Sequence, residues 1–217
     1  MMNWPAPYPL IQHQSNPKYA IISNALREKR VKQTYPQAVM TRKEMESELS
    51  RIAGEIVHDH TELERLVLVG IRRRGVPLAQ RLQKKIKRLS KKQLSLGILD
   101  ITFYRDDLSL VDTQPVVEGS HLDFDVNDQD VLLIDDVLYT GRTTRAALDS
   151  ILDYGRPRRI ELAVLIDRGS RELPIQADYV GKYVETEEDQ VVEVQVSSID
   201  GEEGVILTTR KLFGKGR

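Results

Sequence analysis

The stretch VLLIDDVLYTGRTT, residues 131–144, places two adjacent aspartates a few positions before a Thr-Gly-Arg-Thr-Thr turn. If a helix begins at that turn, its first backbone N–H groups lack internal partners and its dipole favours an anion. Gly141 lets the backbone approach closely, while Thr140 and Thr143 add hydroxyl donors around Arg142. Such a turn is a seat for a phosphate monoester. Asp135 and Asp136 would repel phosphate, but carboxylates suit sugar hydroxyls or a magnesium ion. A single ligand satisfies both features if its phosphate and its hydroxyls lie at different ends, as in ribose 5-phosphate. The alternative left open is that the acids cap a helix and the glycine merely turns the chain. A nucleoside-triphosphate loop is poorly supported, because the chain contains no G-x-x-x-x-G-K-[ST].

Two further segments carry chemistry of the same kind. IRRRG, residues 71–75, sets Arg73 and Arg74 before a glycine at a helix start. That arrangement suits a more highly charged anion such as pyrophosphate, although arginines there are by themselves ordinary surface. FYRDD, residues 103–107, opens a long polar segment from which Arg105 could close over a phosphorylated ligand and exclude water. His58, Asp59 and His60 invite a metal reading, but residues i and i+2 do not share a helix face. A structural or surface role is expected. KKIKRLSKK, residues 84–92, reads as a solvated helix face around Ile86 and Leu89. Trp4 could anchor a partner or be an ordinary exposed aromatic.

These residues need a scaffold, and the hydrophobic pattern supplies one. Met45, Leu49, Ile52 and Ile56 recur at helical spacing, predicting an amphipathic helix over 42–59. LVLVGI (66–71), VLLI (131–134) and IELAVLI (160–166) are short, continuously apolar runs that suit strands covered on both faces. LSLGILDITFY (94–104) reads as another strand. A helix near Pro77 should turn Leu78, Leu82, Ile86 and Leu89 inward. A second, over 142–154, should bury Leu148, Ile151 and Leu152 and end at Gly155. Residues 105–128 are polar and aperiodic, long for a connection and so expected to be functional or mobile. Short segments at 179–184, 191–196 and 204–208 are expected to form a small antiparallel appendage, or hood. The alternation calls for an α/β fold with a doubly wound parallel sheet, whose ligands gather outside the carboxyl ends of the strands. Five of the nine prolines fall within residues 1–36, which read as a flexible extension. A partner-binding arm and a start assigned too far upstream are the other readings. A domain over 37–208 and a basic tail over 209–217 complete the division.

Composition sets the outer limits. The 217 residues can bury a substantial core, and 40% hydrophobic with 30% charged residues is an ordinary globular balance. Without cysteine there is no disulfide, thiolate nucleophile or cysteine zinc site, which fits a reducing compartment. A formal net charge of −1 gives no general attraction for nucleic acid or membrane. No apolar run reaches spanning length and no secretory pattern opens the chain, so a cytoplasmic location is expected.

DITFYRDDLS, VLLIDDVLYTGRTTRA and LAVLIDRGSRELPIQADYVGK, in that order, resemble the pyrimidine operon regulator/uracil phosphoribosyltransferase (PyrR) family of type I phosphoribosyltransferases. The likeness extends over about residues 37–208. It implies conversion of uracil and 5-phosphoribosyl 1-diphosphate to UMP and diphosphate with Mg²⁺. By position it gives Asp135 and Asp136 the ribose hydroxyls and an indirect part in holding the metal. Thr140, Gly141, Arg142 and Thr143 would hold the sugar 5-phosphate, with Val137, Leu138 and Tyr139 as further substrate-binding residues. Arg73 and Arg74 would meet pyrophosphate and Arg105 would lie on a mobile loop. Arg168 and the backbone of Val192 would lie near the base. Tyr139, where purine-using relatives commonly carry an acid, tilts the choice toward uracil. The resemblance further implies a homodimer or higher assembly, and for some members UMP-dependent binding of pyrimidine operon leader RNA through a basic face. Here Gly54, Ser170 and Gln176 stand where histidine or arginine is familiar on that face, while Arg51, Arg171 and Lys182 remain. Loss of cationic groups should weaken RNA binding. A mainly RNA-binding regulator with little catalysis, and a phosphoribosyltransferase for another nucleobase, are the alternatives.

Overall fold

The computed structural model describes residues 35–104 and 119–213. The elements run β1 (Gln37–Thr41), α1 (Arg42–Asp59), β2 (Leu66–Ile71), α2 (Gly75–Ser90), β3 (Ser95–Leu99), β4 (Asp130–Leu138), α3 (Arg142–Tyr154), β5 (Arg159–Asp167), β6 (Tyr179–Tyr183), β7 (Gln190–Gln195), α4 (Ser197–Asp200), β8 (Gly204–Thr209) and α5 (Arg210–Phe213). Five parallel strands form the main sheet in the order β3-β2-β4-β5-β6. β1, β8 and β7 form a separate antiparallel sheet, the hood.

The apolar runs are buried because helices cover both faces of the sheet. Leu68 of β2, Leu132 and Ile134 of β4 pack with Leu49, Ile52 and Leu82 of α1 and α2. Val67, Val69, Val131 and Leu133 face the other way, toward Ala147 and Ile151 of α3. Thr41 fixes the start of α1 through a capping box: its hydroxyl accepts from the Glu44 N–H, and Glu44 accepts from the Thr41 N–H at 2.7 Å. Gly155 follows α3 as expected.

Several expectations need correction. The strand read over 94–104 ends at Leu99, and Thr102–Tyr104 form a short 3-10 turn instead. Leu89 is exposed, because the last turn of α2 runs past the amino edge of the sheet, where Lys92 pairs with Glu64 ahead of β2. Leu152 is also exposed; at about 100° per residue it stands roughly 140° around the helix from buried Ala147. β6 belongs to the parallel sheet beside β5, with Ala163 opposite Tyr179, and not to the antiparallel appendage. The place left in that appendage is filled by β1, a strand that the sequence pattern did not separate from the start of α1. β4 also runs on through both aspartates to Leu138, four residues beyond the apolar run.

Candidate active site

The carboxyl ends of β2, β4 and β5 bring the chemical segments together. On β4, Asp135 is 7% exposed and Asp136 is half-buried. Among the described residues, both side chains accept local hydrogen bonds: the Asp136 N–H donates to Asp135 Oδ1 at 2.9 Å, and the Val137 N–H donates to Asp136 Oδ1 at 3.0 Å. Burial, and then the neighbouring charge of Asp136, push the Asp135 carboxyl well above the ordinary carboxylate range. No cation pairs with either acid among the described residues.

Past Leu138 the chain turns into α3. Gly141, at φ 92°, precedes the helix, and no side chain caps it. The Arg142 N–H donates to Thr140 Oγ1 at 3.3 Å, leaving the following amides facing outward from the helix start. The Thr140 carbonyl accepts from the amides of Glu172 and Leu173, which ties the turn to the loop after β5. Arg142 is exposed and donates to Glu172 at 2.7 Å. Thr143 is half-buried in the first helical turn.

The arginine turn sits directly against the acids. A Cβ at Gly75 would lie 2.3 Å from the Ile134 carbonyl oxygen and 3.3 Å from the Asp135 Cα. Only glycine lets α2 start that close to β4. Arg73 is exposed, without a hydrogen bond or ion pair among the described residues. Arg74 turns toward the hood and forms a bidentate pair with Asp200 at 2.7 and 3.0 Å. That hydrogen bonding holds the Arg74 guanidinium above its ordinary value, with Asp136 adding to the field. Arg105 lies outside the described residues; Tyr104, just before it, donates to Asp153 of α3.

On the far side of the acids, the Arg168 guanidinium lies over the Tyr139 ring, 3.8 Å from its centroid. Arg168 is buried, donating to Thr186 Oγ1 and to the Gln190 carbonyl, each at 3.1 Å. Burial holds its guanidinium below the ordinary value. Val192 is buried in β7 opposite Leu207, two residues beyond Gln190. An open cavity of about 570 Å³ adjoins Arg168, bounded also by Asp167, Ile175 and Val184.

Several positioning residues escaped the sequence reading. Asp167, at the end of β5, accepts from the Gly169 amide and pairs with Arg171, which also donates to the Tyr139 carbonyl at 2.8 Å. Its signal was there: an acid ending an apolar strand, as Asp135 does. Asp200 and Gln190 gave none, because their partners are remote in sequence. His58 is exposed whereas His60 is buried beside Asp130, Glu161 and Arg159, so the two histidines face different surroundings.

Doubly covered parallel strands with an uncapped helix start and paired acids at their carboxyl ends suit a phosphoribosyltransferase, and residues 37–199 match the phosphoribosyl transferase domain family. A hypoxanthine phosphoribosyltransferase from Staphylococcus aureus shares the fold, with TM-score 0.61 at 20% identity over 82% of this chain and 94% of that one. Nearer in sequence are proteins called bifunctional protein PyrR. That of Clostridioides difficile (strain 630) is 52% identical over 169 residues, 78% of this chain and 96% of the relative. That of Pelotomaculum thermopropionicum is 57% identical over 159 residues, 73% and 88% respectively. The chain belongs to the PyrR family of bifunctional proteins, regulators with uracil phosphoribosyltransferase activity.

Proposed function

We propose that this site transfers the ribosyl phosphate of 5-phosphoribosyl 1-diphosphate to uracil, with each sequence-identified residue in a defined place. The uncapped start of α3, with Thr140, Gly141, Arg142 and Thr143, receives the 5-phosphate. Asp135 and Asp136 accept from the ribose hydroxyls. Arg73 faces the diphosphate, while Arg74 holds its turn against the hood. Tyr139 and Arg168 supply a flat surface for the base, closed by the backbone around Val192. The observation that carries this reading is Asp135: a buried carboxylate without a cation, one turn from an uncapped helix start, is arranged for a ligand that brings its own hydroxyls and charge.

The residues present also fit magnesium. This ion commonly uses one or two carboxylates plus substrate phosphates rather than a full protein cage. Asp135 and Asp136 offer that many, directly or through ribose hydroxyls and water. When bound, the ion neutralises charge on the diphosphate oxygens. The chain's own part is placement. As the bond from C1 to diphosphate lengthens, positive charge develops on the sugar and the nearby carboxylates stabilise it. The uracil nitrogen then closes on C1 from the side held by Tyr139 and Arg168, giving UMP and diphosphate. No protein nucleophile is needed; positioning and electrostatics supply the acceleration.

A second reading, leader-RNA binding that attenuates transcription, comes from the family. The cations retained on the expected basic face are committed within the chain. Arg51 pairs with Glu48 and Glu55 and donates to the Val180 carbonyl at 2.6 Å. Arg171 pairs with Asp167, and Lys182 donates to the Val39 carbonyl at 2.9 Å. Such commitments favour catalysis as the leading activity. The reading includes a homodimer or larger assembly, a cytoplasmic location, and the division into an extension (1–36), a catalytic domain with hood (37–208) and a basic tail (209–217). UMP formation from uracil tests the enzyme, with hypoxanthine as the competing base. Gel-shift titration of its own operon leader, with and without UMP, tests the regulator. Tight UMP-dependent RNA binding without turnover would reverse the order.

A further inference from the structure

Tyr35 lies two residues ahead of the matched domain, and nothing in the chemistry above requires it. The structure nevertheless connects it to the site. Gln190, at the head of β7, is 5% exposed and holds three groups at once. Its Nε2 donates to the Tyr35 hydroxyl at 2.7 Å, and its Oε1 accepts from the Glu187 amide at 2.7 Å. Its carbonyl accepts from Arg168 Nη2 at 3.1 Å, and the same guanidinium covers the Tyr139 ring. A guanidinium lying flat on an aromatic ring beside a ligand site makes a surface suited to another flat, polar ring. Tyr35 therefore sits three contacts away from the surface that a nucleobase would meet. Remote in sequence from all of these groups, it also packs against the hydrophobic cluster that contains Val192.

We propose that Tyr35 is a positioning residue for the nucleobase half of the site. It holds Gln190, which fixes the Glu187 turn, the start of β7 and the Arg168–Tyr139 stack together. This rests on the uracil phosphoribosyltransferase reading and extends it to a residue outside the matched domain. Removing the Tyr35 hydroxyl leaves a buried amide donor without that acceptor. The loss is felt where Gln190 acts, on the base, and not on the sugar phosphate held by β4 and α3.

The test compares Tyr35→Phe, Gln190→Met and the double variant in the full-length chain. Tyr35→Phe is expected to raise the KM for uracil by about 5- to 10-fold, while kcat and the KM for 5-phosphoribosyl 1-diphosphate stay within about twofold. The double variant should be no worse than Gln190→Met alone, since one link is cut from either end. Backbone amides of residues 187–192 should exchange hydrogen faster in Tyr35→Phe without ligand. An unchanged uracil KM in an active enzyme, effects that multiply in the double variant, or unchanged exchange would each overturn the proposal. A wild-type protein that forms no UMP would instead overturn the catalytic reading, and the exchange measurement then decides the Tyr35 link by itself.

Discussion

β4 carries two buried aspartates, Asp130 at its start and Asp135 where it approaches the site, and the two are treated in opposite ways. Asp130, 1% exposed, is met by positive charge: Arg158 donates to both of its oxygens and Arg159 lies 3.2 Å away, with the His60 ring 4.0 Å off. The hydrogen bonds from Arg158, aided by the charge of Arg159, hold its carboxyl below the ordinary range. Asp135, five residues along the same strand, meets another acid instead, and its carboxyl is held above that range. Both ends desolvate a carboxylate, but only one compensates it inside the protein. A buried charge left without a partner costs stability unless something else brings the compensation. The comparison teaches that the amino end of the sheet is built for the folded chain alone. Under the proposed function, the carboxyl end is completed by a ligand.

The contrast can be broken most severely at the carboxyl end. Replacing Asp135 and Asp136 together by alanine should lower kcat/KM for UMP formation by about 10³-fold or more, with little loss of folded protein. Steady-state kinetics beside a thermal melt check both halves of that statement. At the other end, Asp130→Ala should cost about 3 kcal/mol in chemical denaturation, because it strands Arg159 and His60 beside a lost counter-charge. Activity per folded molecule should survive. If Asp130→Ala abolished turnover in folded protein, the division of labour along β4 would be wrong.

The two acids should also give opposite pH slopes. Asp135 has a raised pKa in the folded chain, so between the ordinary carboxylate value and that raised value the folded state holds more protons than the unfolded one. Its contribution to stability therefore declines as pH rises through that interval. Asp130 has a lowered pKa, so its contribution is complete above the ordinary value and is lost as pH falls through the lowered one. Urea titrations across pH should show Asp135→Asn removing the decline on the upper side and Asp130→Asn removing the fall on the acid side. The smallest effect is expected at Arg74. Arg74→Lys keeps charge but loses the bidentate grip on Asp200, and should weaken 5-phosphoribosyl 1-diphosphate binding by about threefold to tenfold in calorimetry.

How much of this was readable from residue order depends on the range of the interaction. Met45, Leu49, Ile52 and Ile56 carry their helix in their own spacing, and α1, β2 and α3 begin and end where periodicity, caps and Gly155 place them. The acid pair and the uncapped start of α3 were readable for the same reason, since Asp135 to Thr143 are consecutive in the chain. Arg74 was not: its partner is 126 positions away, and a local reading sees only a cation in a turn. Arg51 and Arg171 read as retained cations of a basic face, although acids that pair with them, Glu48, Glu55 and Asp167, stand within four positions. β6 was placed in the wrong sheet because a segment as short as YVGKY discloses a strand but neither its neighbour nor its direction. Leu89 shows a further limit, since periodicity gives the angle around a helix and not how far the sheet beneath it extends.

The approach of α2 to β4 has one more consequence. Because Gly75 rests on the main chain of Ile134 and Asp135, the span between the arginine turn and the carboxylates is set by atoms that every sequence has in common. Changes of side chain along this seam can alter how firmly a bound molecule is held, but not the length it must have. Under the proposed function the fold works there as a gauge: a sugar needs both its diphosphate and its ring hydroxyls to bridge the arginine turn and the acids.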